Sequence, residues 1–481
     1  MAKSLLFLPL LLLAACATHF ENYPLTLAER NTETRSIDVS RQDRPIILMA
    51  FSGGGSRAAA LSWIILKELR GFEYGSGDRP RRLIDDVRLV SSVSGGSVTA
   101  AYFGLYGADG LDEFSLSFLE RDNMRALELE AANPFTWLSF AVRGESRIAA
   151  IEALFDAQLF HGKTFAALNQ PGKPFIVLNA TDMASGEAFA FTPQRFDDIC
   201  SDFDKQLISV GVAASAAFPV LASPVAFRNY STTGCRDTPE PPWITERLGK
   251  RYGVYTNIEE FKRARYANDL RHGQNRFREI NYLYFLDGGL ADNLGIHSLI
   301  EAISSPHGTG AIINDLNAGR IRKLVVVIVN ARSDPASSIY ESPNRPGVIG
   351  MIQSVISVPV DSNSSGVGAQ MSVLLEQLKQ AGIGAPRDAL FGGLKVYPIN
   401  IDFDQLRAND PLQRELRDKA KAISTQWTIT QDQRQVIEEV GTLLLHQHPC
   451  FQKLVLDLRI RNDFADPAVA ETGCRDPVPA S

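Results

Sequence analysis

The sequence predicts an α/β protein layered around a mainly parallel sheet. Two observations carry this expectation: apolar runs of strand length recur along the chain, and the first two close on glycine-rich turns that lead straight into helical stretches. Ile46-Ile47-Leu48-Met49-Ala50-Phe51 is continuously apolar, ends in glycines and passes into a helical stretch from Ser56 to about Arg70. The same grammar returns at Val87 to Val93, where Ser94-Gly95-Gly96 interrupts and Ser97 to Leu105 continues with small and apolar residues suited to a packed helix. Unbroken apolar runs, rather than alternating ones, mark strands covered on both faces, as parallel strands flanked by helices are. Phe175 to Leu178 and Lys323 to Val329 read as further central strands, and Leu394 to Ile401 as another. Strand, turn and helix in repetition give a layered α/β domain.

With 481 residues, 45% of them hydrophobic, the chain can bury a large core, which excludes a disordered chain. A formal net charge of -6 provides no global attraction for nucleic acid. The first residues form a targeting segment: Lys3 gives a positive start, Leu5 to Leu13 is almost wholly apolar, and Leu13-Ala14-Ala15-Cys16 follows. The run is too short to span a bilayer. The tetrapeptide resembles the lipobox of bacterial lipoproteins, which implies removal of residues 1–15 and acylation of Cys16 as a membrane anchor. By the same resemblance Ala17 favours the outer membrane of the cell envelope. An ordinary cleaved signal peptide with Cys16 incidental is the alternative.

Residues 16–44 are polar, lack helical or strand periodicity and read as a tether. Residues 45–335 hold the strand-turn-helix pattern and 336–481 form a C-terminal extension that turns helical and charged from about Asp410 to His446. Between about 225 and 280 the rhythm breaks, as in an insertion. Pro239, Pro241 and Pro242 precede a basic, aromatic stretch with Trp243, Arg251, Tyr252, Tyr255, Lys262, Arg263, Arg265 and Tyr266. Such a segment can meet a membrane, cover a pocket, or simply be a solvated helical face.

Four cysteines remain beyond Cys16: Cys200, Cys235, Cys450 and Cys474. None has CxxC spacing or a nearby histidine at metal-ligand interval, so no metal site is expected. In an oxidising compartment they read as two disulfides, with Cys200–Cys235 and Cys450–Cys474 the sequence-local choice among three connectivities. Four reduced, buried thiols are the alternative.

Three segments carry chemistry. A serine is a poor nucleophile at neutral pH, so a hydrolase presents it on a strained turn beside a base, with N–H donors aimed at the developing oxyanion. Ser92-Val93-Ser94-Gly95-Gly96 lies between a predicted strand and helix, the context a nucleophile elbow needs, and Gly95 lets its N–H approach substrate. Ser52-Gly53-Gly54-Gly55-Ser56-Arg57 ends the first strand with N–H groups free to face an anion, and Arg57 is suited to hold that loop. It lacks the lysine of a P-loop and the spacing of a dinucleotide fingerprint. In Phe285-Leu286-Asp287-Gly288-Gly289 an acid follows an apolar strand, and two glycines permit a sharp exit. Taken singly, each of these is also a common packing turn.

Together the GGGxR loop, the serine elbow and the late Asp-Gly-Gly resemble the patatin-like phospholipase family. Two further blocks match: Phe175 to Phe189 with Asn179-Ala180-Thr181-Asp182, and Ala214-Ser215-Ala216-Ala217-Phe218-Pro219. The likeness runs from Pro45 to Ala331. It implies a three-layer α/β domain and no cofactor. It also implies a Ser94–Asp287 dyad acting on lipid or lysolipid acyl esters, and an oxyanion hole from Gly53, Gly54, Gly55 and Gly95. The chain departs from the family at Ser52, where many members carry Asp, and at Ala58, where many carry Gly. Two other readings stay open. One is an α/β-hydrolase esterase with a Ser-Asp-His triad using His297 or His446; the other is a non-catalytic, lipid-binding lipoprotein.

Overall fold

The computed structural model describes residues 18–26, 44–75, 80–132, 147–219, 222–235, 240–249, 258–305, 307, 310, 312–333, 348–382, 391–468 and 474. Cys16, the segment before it and much of the tether lie outside the described residues, as do Pro239, Arg251, Tyr252 and Tyr255. In chain order the strands are β1 (Thr18–His19), β2 (Ile46–Phe51), β3 (Glu73–Tyr74), β4 (Arg81–Arg82), β5 (Val87–Val93) and β6 (Phe175–Asp182). They continue with β7 (Ala188–Phe191), β8 (Val225–Arg228), β9 (Tyr282–Asp287), β10 (Lys323–Asn330) and β11 (Lys395–Asp402). All but the β3–β4 hairpin form a nine-stranded sheet in the order β1-β8-β9-β6-β5-β2-β10-β11, with β7 also on β6.

The stretch from β6 to β11 is parallel throughout. By contrast β9 runs antiparallel to β6 and β8, and β7 to β6. Because successive side chains point to opposite faces, each central strand feeds two cores. Ile47, Met49 and Phe51 of β2 and Val325, Val327 and Val329 of β10 enter one apolar cluster. Ile46, Leu48 and Ala50, with Leu324 and Val326, enter the other. Helices cover both faces. The main ones are α1 (Gly55–Gly71), α2 (Gly95–Tyr106), α3 (Ile208–Ser215), α4 (Pro242–Gly249), α5 (Ile258–Arg271), α6 (His297–Ser304) and α7 (Val348–Gly382). After these come α8 (Pro411–Ala422), α9 (Gln431–Gln447) and α10 (Pro449–Asp457). Residues of α1, α2, α3, α9 and α10 share the first cluster, and residues of α6 and α7 the second. The result is a three-layer α/β domain with a mixed, mostly parallel sheet.

Three expectations about organisation change. The residues after position 335 do not merely pack on the domain, because β11 pairs with β10 along its whole length and closes one sheet edge. Pro398 is tolerated there because an edge strand has one unpaired side. Residues 18–26, assigned to the tether, are instead docked: β1 pairs with β8, Asn22 bonds Ser201 and the Arg228 carbonyl, and Leu25 packs with Cys200 and Cys235. The non-local partners, not any local periodicity, order this segment.

The third change concerns the insertion, whose first residues form sheet strand β8 and several of whose polar side chains turn inward. Arg263 pairs with Glu301 at 2.8 Å and lies over the Trp243 ring at 4.8 Å. Arg271 meets Asp198 at 3.0 Å, Arg265 reaches Asp269 at 4.0 Å, and the buried Tyr266 hydroxyl donates to Asp182 at 3.1 Å. Arg263, Tyr266 and Arg271 thus hold the insertion to the domain, whereas Arg265 pairs only within its own helix and stays half-exposed.

Disulfides join Cys200 to Cys235 and Cys450 to Cys474, closing sequence separations of 35 and 24 residues. Each restricts the unfolded chain and stabilises the fold by about 2–4 kcal/mol. The Cys450→Ser/Cys474→Ser variant is therefore expected to melt several degrees below wild type in calorimetry. An unchanged melting temperature would remove any stabilising role.

Candidate active site

The adjacent parallel strands β2 and β5 end on the same side of the sheet, so the turns that follow them face each other. At the end of β5, Ser94 adopts φ 51° and ψ −121°, a conformation a non-glycine residue occupies only under restraint from its surroundings. The restraint is visible. The Ser94 N–H donates to Ser215 Oγ at 2.9 Å, and Ser215 in turn donates to the Asn179 carbonyl at 2.6 Å. Asn179 Nδ2 donates to Ser91 Oγ and to the Ser92 carbonyl at 2.9 and 3.0 Å. The elbow is thus tied to α3 and β6 from below.

The turn after β2 is held from the opposite side. Ser52 Oγ accepts from the Ala331 N–H at 2.8 Å, and Ser56 N–H donates to the Gln426 carbonyl at 2.8 Å. Arg57, only 2% exposed, donates to the carbonyls of Ala331 at 2.8 Å and of Ile423. Ile423 caps the carboxyl end of α8, where the helix dipole favours a cation. Burial lowers the Arg57 pKa to about 10, so the group stays charged at neutral pH. Arg57 supports the loop and does not line its open side.

Gly55 and Gly95 each open a helix, so neither N–H has an intrahelical acceptor. Gly54, at φ 139°, precedes α1 as its cap. Gly53 differs from expectation: its N–H donates to the Asn293 carbonyl at 3.0 Å and is consumed, so it is not an oxyanion donor. The two turns press together closely enough that a Cβ on Gly95 would lie 1.9 Å from the Gly55 carbonyl oxygen. Only glycine allows that approach.

Asp287 ends β9 opposite Ala180, one residue beyond Asn179, which pairs with Val93. This register brings its carboxyl beside Ser94. Both residues are buried, at 5% and 6% exposure. Burial raises the Asp287 pKa to about 6, against the opposing effects of the Gly289 N–H at 2.8 Å and of the neighbouring Ser94 side chain. The histidines go elsewhere. His297 Nδ1 lies 3.1 Å from Asp292, and His446 Nε2 lies 2.8 Å from Glu68 while its ring stacks on Phe464.

The structure therefore brings together Ser94, Asp287, Gly54, Gly55, Gly95 and Arg57, and withdraws Gly53. Sequence reasoning assigned no role to Ser215, Asn179 and Asn293, nor to the segment 423–426. Ser215 and Asn179 stood inside recognisable blocks, whereas Ile423 and Gln426 belong to no motif. A Gly95→Ala chain is expected to lose at least about a hundredfold in ester turnover, because the turns must separate and displace the Gly95 N–H, a candidate oxyanion donor. Turnover near wild type in a folded Gly95→Ala protein would mean that the close approach is not required.

A patatin-like phospholipase family profile matches residues 49–300. Human GIVD cytosolic phospholipase A2 is similar in structure at 11% identity and a TM-score of 0.40, covering 86% of this chain and 62% of that one. The same human protein in complex with methyl gamma-linolenyl fluorophosphonate aligns at 10% identity and a TM-score of 0.37, over 87% and 59%. VipD from Legionella pneumophila aligns at 12% identity and a TM-score of 0.26, over 94% and 77%. The chain thus spans less than two thirds of the length of the human structures, and no curated protein matches it by sequence. The family match covers just over half of the chain and contains both glycine-rich turns, Ser94 and Asp287, and on that basis the chain belongs to the patatin-like phospholipase family.

Proposed function

We propose that the protein cleaves lipid acyl esters, as a phospholipase A or lysophospholipase, through a Ser94–Asp287 dyad and an acyl-enzyme. One observation carries the reading: a restrained serine, a dry carboxyl beside it and helix-opening N–H groups converge at the ends of adjacent strands. Ser94 Oγ attacks the ester carbonyl carbon while its proton passes to Asp287. The N–H groups of Gly54, Gly55 and Gly95 stabilise the oxyanion. Collapse of the tetrahedral intermediate expels the alcohol, which takes the proton back from Asp287. Water then repeats the sequence at the acyl-enzyme, releasing the fatty acid and regenerating Ser94.

A carboxyl with a pKa of about 6 is a stronger base than an ordinary one and is still mostly ionised at neutral pH. Turnover is expected to rise with pH through about 6 and level off above it. Ser94→Ala and Asp287→Asn should each remove most turnover and fluorophosphonate labelling, with the double variant hardly worse because the pair acts as one unit. His297→Ala and His446→Ala should stay within about tenfold of wild type; a larger loss in a folded protein favours the triad. Stability gives an independent check. The folded state raises the Asp287 pKa from 3.8, so its stabilising contribution is present below that value and lost as pH rises through about 6. Asp287→Asn should accordingly melt higher than wild type at pH 7.5, and an unchanged or lower melting point would contradict the buried, ionised carboxylate.

We also propose that Cys16 is acylated and holds the protein at a bacterial outer membrane. Wild type should partition with membranes and Cys16→Ser should be released or mislocalised. A soluble, unacylated mature protein would end this reading.

A further inference from the structure

The last turn of the insertion, residues 274–279, is exposed throughout. Gln274 and Glu279 form an antiparallel bridge, and the turn between them is held by its own backbone and side chains. Asn275 N–H donates to the Arg278 carbonyl at 2.9 Å, and Asn275 Oδ1 accepts from the N–H groups of Phe277 and Arg278, both at 2.9 Å. This ordered tip presents Phe277 at 83% exposure, the most exposed large apolar side chain among the described residues. Arg276 and Arg278 flank it, both exposed and neither in an ion pair among the described residues. A phenyl ring displayed on a rigid turn between two arginines is costly in water and suited to a lipid interface, where ring and guanidinium find different depths.

Strand register places this tip on the side where the catalytic turns open. β6 runs parallel to β5, and its last three residues pass the end of β5 to pair with β9. From Asp287, beside Ser94, β9 therefore leads outward past the carboxyl edge of the sheet, through Phe285 opposite Asp182 to Tyr282 opposite Arg228. The turn bearing Phe277 lies beyond that. Along the way Tyr282 and Tyr284 are 47% and 40% exposed, with Met183 at 58% hydrogen-bonded through its N–H to the Tyr284 carbonyl. The aromatic face and the basic tip thus share one projecting sheet corner.

We infer that the β8–β9 corner is a membrane-docking surface: Phe277 enters the acyl boundary of an anionic bilayer while Arg276 and Arg278 meet its phosphates. This rests on the lipid-ester reading for its purpose but not for its test. Flotation of the full chain carrying Cys16→Ser, with vesicles of phosphatidylcholine alone or with phosphatidylglycerol, separates the corner from the anchor. Phe277→Ser is expected to weaken binding to both vesicles about tenfold, and Arg276→Glu/Arg278→Glu to weaken binding roughly tenfold on the anionic vesicles only. Turnover of a short soluble ester should be unchanged in both. In the otherwise native chain, Phe277→Trp should give indole emission quenched by brominated acyl chains above the wild-type background. Unchanged flotation of both variants, or no added quenching, overturns the proposal. Equal losses on vesicles and on the soluble ester also overturn it, by assigning the tip to the active site. A chain that hydrolyses no ester yet still needs Phe277 for vesicle binding upholds the corner and refutes the hydrolase reading alone.

Discussion

The site depends on how closely two glycine-rich turns can approach. With β2 and β5 adjacent and parallel, their carboxyl ends are forced together, and the Gly55 carbonyl occupies the space where a side chain on Gly95 would stand. That contact sets where the first N–H groups of α1 and α2 point, and so where an oxyanion can be bound. It also fixes the Ser94 backbone in a conformation that an isolated chain would not keep. The surrounding serines and asparagine answer that restraint: Ser215 takes the Ser94 N–H and passes its own hydrogen to Asn179. Burying Ser92, Ser97, Ser215 and Asn179 together is tolerable because each of them finds a hydrogen-bond partner.

The same constraint explains why the chain does not stop at the end of the family match. The outer turn, with its glycines, has little side chain with which to hold itself in place. Its support comes from Arg57, and Arg57 is satisfied by carbonyls of Ala331 and Ile423, far along the chain. Gln426 supplies a further acceptor to Ser56. Segment 423–426 is in turn positioned by α8 and α9, whose apolar faces complete the core over α1. The C-terminal region is thus part of the catalytic scaffold, and β11 seals the sheet edge that β10 would otherwise expose.

Asp287 embodies a conflict between folding and chemistry. Desolvation disfavours its charge and lifts its pKa to about 6, which destabilises the folded protein at neutral pH while making the carboxylate a better proton acceptor. His297 and His446 instead face the carboxylates of Asp292 and Glu68.

What the sequence determined by itself was local. Unbroken apolar runs specify strands buried on both faces, and Gly, Ser and Asp after them specify sharp exits, so the central strands and the turns bearing Ser94, Asp287 and Arg57 were legible from residue type and order. Tertiary structure decided what depends on partners distant in the chain. Gly53 reads like its neighbours until the Asn293 carbonyl takes its N–H. The arginines of the insertion read as a basic face until Glu301 and Asp198 pair with Arg263 and Arg271, leaving Arg276 and Arg278 outside. The segment 18–26 reads as tether until β8 offers it an open edge. A hydrogen bond or ion pair between residues distant in the chain leaves no period or spacing in it, because its two ends are specified independently and meet only when the fold closes.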